Sequence, residues 1–208
     1  MLISSEIQDV INSLEGIVYA VDCDGVILAV SEPAWSDFAV ANNGGAIADT
    51  ANIIERNMFD FIAGEEVKKS YRERMNELAE GPGNERITFA YRCDSPTKRR
   101  DMRMAISPLN IDKKMLGFLF HSIVWAEAAR PAMGLYDFAG LMVRLAEERD
   151  LPTLSMCSHC QKVLFSPSDD SAGEWVDAVE YYRLGGNEDV SISHGICSQC
   201  KKTHWYGH

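Results

Sequence analysis

Residues 16–30 read GIVYAVDCDGVILAV. Two short apolar runs, Gly16–Val21 and Val26–Val30, flank an Asp24-Gly25 pair. Glycine supplies the positive φ that a tight turn between two strands needs, so this stretch predicts a β-hairpin. Upstream, Ile3, Ile7, Val10, Ile11 and Leu14 recur at helical spacing, and Ser5 with Gln8 suits a capping box. A short amphipathic helix therefore precedes the hairpin and ends near Gly16.

Downstream the period changes. Glu32–Asn42 reads as helix with Trp35, Phe38 and Ala39 on one face, and the NNGG loop of residues 42–45 follows. Short helical pieces are expected through Ile53–Ile62, then a clearer helix over Glu65–Leu78 that EGPGN (80–84) breaks. Three strands follow. Glu85–Cys93 sets Ile87, Phe89 and Tyr91 on one side, and Asp101–Pro108 does the same with Met102, Met104 and Ile106. Met115–Val124 (MLGFLFHSIV) is apolar on both faces, which places it in the middle of a sheet. The expected fold class is α+β: a five-stranded antiparallel sheet with helices on one face. A linker helix and a small metal-stapled module complete it.

The order and landmarks over residues 4–126 resemble the PAS family of sensor domains. The landmarks are GIVYAVDCDGVILAVSEPAWSDFA, NMFDFIAGEEV and the last three strands. FAYRCDSPTKRRDMRMAISPL is similar to a segment of certain bacterial PAS proteins and carries no assigned chemistry. The resemblance implies a pocket between the helical insert and the sheet. Trp35, Phe38, Met58, Phe61, Phe89, Tyr91, Met104, Phe118 and Phe120 are its candidate lining residues, and plain core packing is the competing reading. Haem-binding PAS domains commonly take a histidine from the helical part. His121, the one histidine here, lies on the last strand opposite in parity to Phe118 and Phe120, so haem is disfavoured. The cysteine motif of flavin photosensors is absent; Cys23 lies in a turn and Cys93 ends a strand.

Gly134–Asp150 reads as a linker helix bracketed by Pro131 and Pro152. Leu135, Phe138, Met142 and Leu145 form a short apolar seam that fits packing on the chain's own sheet or a homodimer contact. The expected division is a PAS-like sensor over 1–126, a linker helix over 127–152 and a zinc module over 153–208.

Cys157-Ser-His-Cys160 and Cys197-Ser-Gln-Cys200 form two Cys-x-x-Cys pairs separated by 36 residues. A two-residue gap lets one turn present two thiolates while backbone amides point at them, and two such turns complete a tetrahedral zinc shell. Four thiolates leave no position for a catalytic water. The alternatives are a zinc or iron site with His194 replacing one thiolate, and a reversible dithiol switch. His194 otherwise supports the shell by hydrogen bonding. Covalent haem is disfavoured because Gln161 and Lys201, not histidine, follow the pairs. His159 is expected at an exposed knuckle tip. Between the pairs, Glu174–Leu184 reads as a helix with Trp175, Val179 and Tyr182 on one stripe, and Val190–Ile196 as a strand. The pattern is similar to a small module at the C-terminus of bacterial PAS signalling proteins. There a Cys-x-x-Cys and a basic residue precede a tryptophan helix with a tyrosine, then Ser-His-Gly-Ile-Cys-x-x-Cys. Cys157, Cys160, Lys162, Trp175, Tyr181 or Tyr182, Ser193–Cys197 and Cys200 carry that likeness. It implies a signalling context rather than a reaction.

Arg92, Lys98, Arg99 and Arg100 surround Cys93 in one loop. They could bind an anion or a partner, or activate the thiol, and the plain alternative is a solvated hairpin tip. Net charge is −11, which disfavours nucleic acid, and the module is acidic apart from a small tip at Lys201, Lys202, His204 and Trp205. Composition is ordinary for a globular protein, with 46% hydrophobic and 25% charged residues. No apolar run approaches a membrane span, and the N-terminus has no targeting pattern. A cytoplasmic location is expected, where clustered cysteines favour metal over disulfides. No phosphate loop, kinase or cyclase motif, or nucleophile–base arrangement is legible, so the chain reads as no enzyme. Its expected partners are a signalling protein and a small-molecule ligand.

Overall fold

The computed structural model describes residues 3–137, 140, 151–166 and 173–205. Helix α1 spans Ser5–Ser13, with Ser4 rather than Ser5 at its N-cap and no side-chain cap. Strands β1 (Ile17–Asp22) and β2 (Ile27–Val30) form the expected antiparallel hairpin, with Tyr19 opposite Val30 and Ala20 opposite Ala29. Gly25 adopts φ of +89° at its turn, where a side chain would be strained. Helices α2 (Ala34–Ala41), α3 (Gly45–Ala48) and α4 (Glu65–Glu80) follow. Two 3-10 turns, Thr50–Asn52 and Met58–Asp60, lie between α3 and α4. Then come β3 (Ile87–Arg92), β4 (Lys98–Ile111) and β5 (Lys114–Ala129).

The sheet order is β2-β1-β5-β4-β3. The strand read as apolar on both faces is therefore interior to the sheet, and the PAS-like arrangement expected from the sequence is present. Tyr19 and Phe120, paired across β1 and β5, stack at 4.7 Å on the face that also carries Tyr71 of α4. Val18, Ala20 and Leu119 point the other way and pack with Ile11 of α1. The helical insert thus covers one face, and α1 lies on the opposite one.

The chain divides into two compact units. The first comprises residues 1–63, 68–90 and 102–125; the second comprises 64–67, 91–101 and 126–208. The second unit thus takes in the β3–β4 loop, a grouping that the sequence boundaries do not anticipate. Its own sheet has the order β8-β7-β6-β9, with β6 Thr153–Cys157, β7 Val163–Phe165, β8 Glu174–Val176 and β9 Ser191–Gly195. Helix α5 (Ala178–Arg183) precedes β9, and α6 (Ser198–Trp205) follows the second cysteine pair's first member. Leu135, Tyr136, Met156, Val163, Ala178 and Tyr181 form its core.

Two expectations are corrected here. Glu174–Val176 is a strand rather than the start of a helix, so Trp175 lies across from Leu164 of β7. The helix buries Tyr181 and leaves Val179 63% exposed. In the expected linker helix, Gly134–Tyr136 forms a 3-10 turn whose Leu135 is fully buried in the second unit's core. Phe138, Met142 and Leu145 lie outside the described residues, as do Asp169 and Asp170 and the side chains of His204 and Trp205. Among the described residues, no helix is long and apolar enough to cross a membrane.

Candidate metal centre

The two cysteine pairs meet because β6 and β9 are parallel. Leu154 lies opposite Ile192, Met156 opposite His194 and Cys157 opposite Gly195. Each Cys-x-x-Cys therefore begins at the same end of the same two strands. Parallel neighbours need a crossover of a dozen or more residues, usually including a helix. The crossover runs from Cys157 at the end of β6 to Ser191 at the start of β9 and holds β7, β8 and α5, so most of the 36 residues between the pairs belong to it. The wide spacing thus has a topological cause.

Cys157, Cys160, Cys197 and Cys200 bring all four sulfurs within 4.8 Å of one another. Cys160 Sγ and Cys197 Sγ stand 3.7 Å apart, too far for a disulfide and close to the edge of a tetrahedral thiolate shell. Zinc–sulfur bonds of about 2.3 Å give an edge of about 3.8 Å. The turn after β6 aims the amides of His159 and Cys160 at Cys157 Sγ, and Cys197 N–H reaches it at 3.4 Å. Cys200 N–H reaches Cys197 Sγ at 3.4 Å. The hydrogen bond from the Cys160 thiol, and after it those from the amides, hold the Cys157 thiol down to about 4 against its burial. Burial and the neighbouring thiolate push Cys200 up to about 12, and Cys160 is raised as well by its bond to Cys157. Four sulfurs this close cannot all ionise in a vacant shell; a cation that replaces their protons relieves the repulsion. The donor set therefore fits a soft or borderline metal ion.

His159 is corrected by the structure: it is 6% exposed, not a free tip. Its carbonyl accepts the Arg92 N–H at 2.7 Å, and the Arg92 guanidinium donates to the Cys160 carbonyl at 3.2 Å. Gln161 takes the left-handed conformation at φ of 56°, and its Oε1 accepts the Asp94 N–H at 3.0 Å. The residue that rules out a haem signature thus anchors the knuckle to the β3–β4 loop. His194 lies on β9, and burial lowers its pKa. Next to the second pair, Ile196 N–H donates to Glu66, which also pairs with Lys201.

The basic loop is organised by carboxylates. Asp94, with a fully buried side chain, pairs with Arg92 and with Arg130, the latter at 2.7 Å. Glu127 pairs with Lys98 at 2.7 Å and with Arg100 at 2.6 Å, and Arg99 lies 3.5 Å from Asp101. Lys98 and Arg99 at the tip are exposed, as the solvated-tip reading expects, whereas Arg100 is 4% exposed. Burial pushes the Cys93 thiol up, so nearby cations do not make it a thiolate. Asp94, Glu127 and Arg130 are the members that sequence reasoning missed. Asp94 stands in the loop itself, while Glu127 and Arg130 lie at the end of β5 and just beyond it, where no local spacing ties them to the loop.

In the first unit, Met58, Phe89, Met104, Phe118 and Phe120 are buried. Trp35 and Phe38 are half-buried, with Trp35 Nε1 donating to the Ile47 carbonyl and its ring set edge-on to Tyr19. Phe61 is instead 43% exposed beneath the Arg56 guanidinium. Tyr91 belongs to the second unit. Tyr19 and Tyr71 join the interior rings, and strand parity with Phe120 could have found Tyr19. His121 is a sheet-face residue bonded to the Glu15 carbonyl at 2.7 Å.

A scan against protein-family profiles finds no match, and neither does a comparison with curated proteins. Solved structures similar to this chain include PAS domains. That of an HTR-like protein from Haloarcula marismortui is 16% identical, with a TM-score of 0.37 over 58% of this chain and 95% of that one. The PAS domain of Bordetella pertussis BvgS is 10% identical, with a TM-score of 0.45 over 68% of this chain and 93% of that one. Vibrio cholerae VqmA is 11% identical, with a TM-score of 0.42 over 60% of this chain and 53% of that one. These likenesses concern the fold alone.

Proposed function

We propose that the chain is a bacterial cytoplasmic sensory or adaptor protein. Its PAS-like unit takes a small ligand or a partner, and its second unit, built around a structural zinc ion, acts by contact with a signalling protein. The observation that carries this reading is the closed four-sulfur cluster. Cys157, Cys160, Cys197 and Cys200 would hold the ion, whose chemistry there is to fix the chain rather than to turn over a substrate. The chain's own groups do the rest: amides stabilise the thiolates, and Arg92 and Gln161 tie the first knuckle to Asp94. No open coordination position remains, which is why the reading is not enzymatic. A homodimer through the linker segment remains part of the proposal. Nucleic acid is disfavoured further, because Glu66 neutralises Lys201.

Elemental mass spectrometry on protein purified without added metal tests the metal. One zinc per chain is expected, and a metal-free chain with a folded second unit would sink the proposal. Cobalt substitution separates the donor sets: a four-thiolate spectrum unchanged by His194→Asn is expected, whereas a change assigns His194 as a ligand. A second reading, a thiol redox sensor, draws on Cys160, the half-buried member of the four, 3.7 Å from Cys197. Peroxide would take two electrons from this thiolate pair and two protons from solvent, leaving a disulfide and two waters and releasing the ion. Thiol counts that stay unchanged under mild peroxide end that reading.

A further inference from the structure

We propose that the second unit carries a binding site for a small amphipathic carboxylate, in a cleft of about 600 Å³. Arg92, Arg99 and Arg130 line one side and the first turn of α5 the other. The volume falls within the roughly 300–1,000 Å³ of small-molecule sites. Three observations give the ligand its chemistry.

The first is charge. Arg92 and Arg130 share one buried carboxylate, Asp94, so two cations meet one anion on this side, while Asp177 and Glu180 also line the cleft. The second is an unpartnered donor. Arg130 uses Nη1 on Asp94 and Nη2 on the Ser95 carbonyl at 2.6 Å, and its plane lies 4.0 Å over the Tyr136 ring. Its Nε is buried and has no acceptor among the described residues. Buried donors are rarely left so, and a guanidinium edge is shaped to meet a carboxylate. The third is the apolar wall. Val179 is 63% exposed, and it lines the cleft with Met133, Pro131 and Ala128.

The far rim carries Asp177 and Glu180, both already engaged. Asp177 Oδ1 caps the Glu180 N–H at 3.0 Å, and Glu180 pairs with Arg183 at 2.6 Å. Their charge repels a dianion and orients a monoanion with its carboxylate at Arg130 and its hydrocarbon along Val179. The site deepens the anion-contact expectation for Arg92 and Arg99 and rests on the reading of this unit as metal-organised, because the first knuckle holds Arg92 in place.

The test is titration calorimetry on the full chain, with its metal content measured, using sodium hexanoate, acetate, inorganic phosphate and hexylamine. Hexanoate should bind one to one. Acetate, four methylenes shorter, should bind at least ~10-fold more weakly, since each buried methylene contributes to affinity. Phosphate and hexylamine should not compete. At saturating hexanoate the Arg130 Nε–H resonance should shift. Val179→Glu, at an exposed position, should weaken hexanoate at least ~10-fold with metal content unchanged, because it places a charge on the apolar wall. Hexanoate binding no tighter than acetate, competition by phosphate or hexylamine, an unmoved Arg130 resonance, or wild-type affinity in Val179→Glu each overturns the site. Metal-replete protein that ignores hexanoate refutes the cleft and leaves the proposed function standing. Metal-free protein that binds hexanoate does the reverse.

Discussion

Gly186 lies against the ring of Tyr181, and a methyl group there would come within 2.3 Å of it. Tyr181 is held from both sides, by burial in the second unit's core and by its hydroxyl bond to the Asn187 carbonyl. The ring has no easy retreat. Gly186→Ala should therefore destabilise this unit by about 1–3 kcal/mol, the usual range for overpacking, read from a shifted urea midpoint. His194 gives a pH dependence. Burial holds its pKa below 6.5, so the folded protein keeps it neutral and unfolding lets it take a proton. The unfolded state binds more protons, so stability rises with pH. The contribution is complete above the unfolded value of 6.5, falls as pH drops toward the lowered folded value, and is constant below that. Melting temperatures measured across that window should fall with pH in the wild type and flatten in His194→Asn. Equal slopes would show that His194 does not titrate on unfolding. Neither the buried His159 nor the bond that Gln161 accepts was legible in residues 156–161, because both depend on Arg92 and Asp94, more than 60 positions earlier.

Among the elements, the Arg92–Arg100 loop and the crossover carry most of the new information. Asp94 is a buried acceptor for two guanidinium groups and also takes the Arg100 N–H at 3.1 Å. Asp94→Asn leaves two cations beside a neutral amide. A loss of about 3–5 kcal/mol is expected, as for other broken buried pairs. Lys98→Ala removes a partly exposed pair and should cost no more than about 1 kcal/mol. Denaturant titration of both variants checks the contrast, and similar losses would mean that Asp94 is not the hub. The sequence predicted the β1–β2 hairpin and the interior position of β5, because turn chemistry and two-sided apolarity are local signals. It misread Glu174–Val176, because three residues are too few for period two and period 3.6 to separate. The swap of Val179 for Tyr181 as the buried residue follows from that shift in the helix start.

At the scale of the molecule, the clustering of the four cysteines was legible from spacing alone, while the parallel pairing that joins them was not. Nothing in the local pattern of VSISHGI says whether its neighbour runs with it or against it. The division into two units was also hidden, since residues 64–67 and 91–101 join the second unit through partners distant in the chain, such as Arg92 with His159 and Glu66 with Lys201. Metal removal should expose the difference. After a chelator strips the ion, amides in β6, β7 and β9 should lose protection from hydrogen exchange while those of Val18–Val21 keep theirs. Retained protection in β6 and β9 would show that the core around Leu135 and Tyr181 suffices without metal.

The distance along the chain between the two cysteine pairs also sets an order of events during synthesis. Cys157 and Cys160 precede Cys197 by the 36 residues between the pairs. At the roughly 5–20 residues per second of translation, that is a delay of about 2–7 s. Through that interval the nascent chain carries half a ligand set. It is able to bind the wrong ion or to oxidise before its other half exists. Metal loading of the proposed site would then depend in part on the redox state of the compartment around the ribosome.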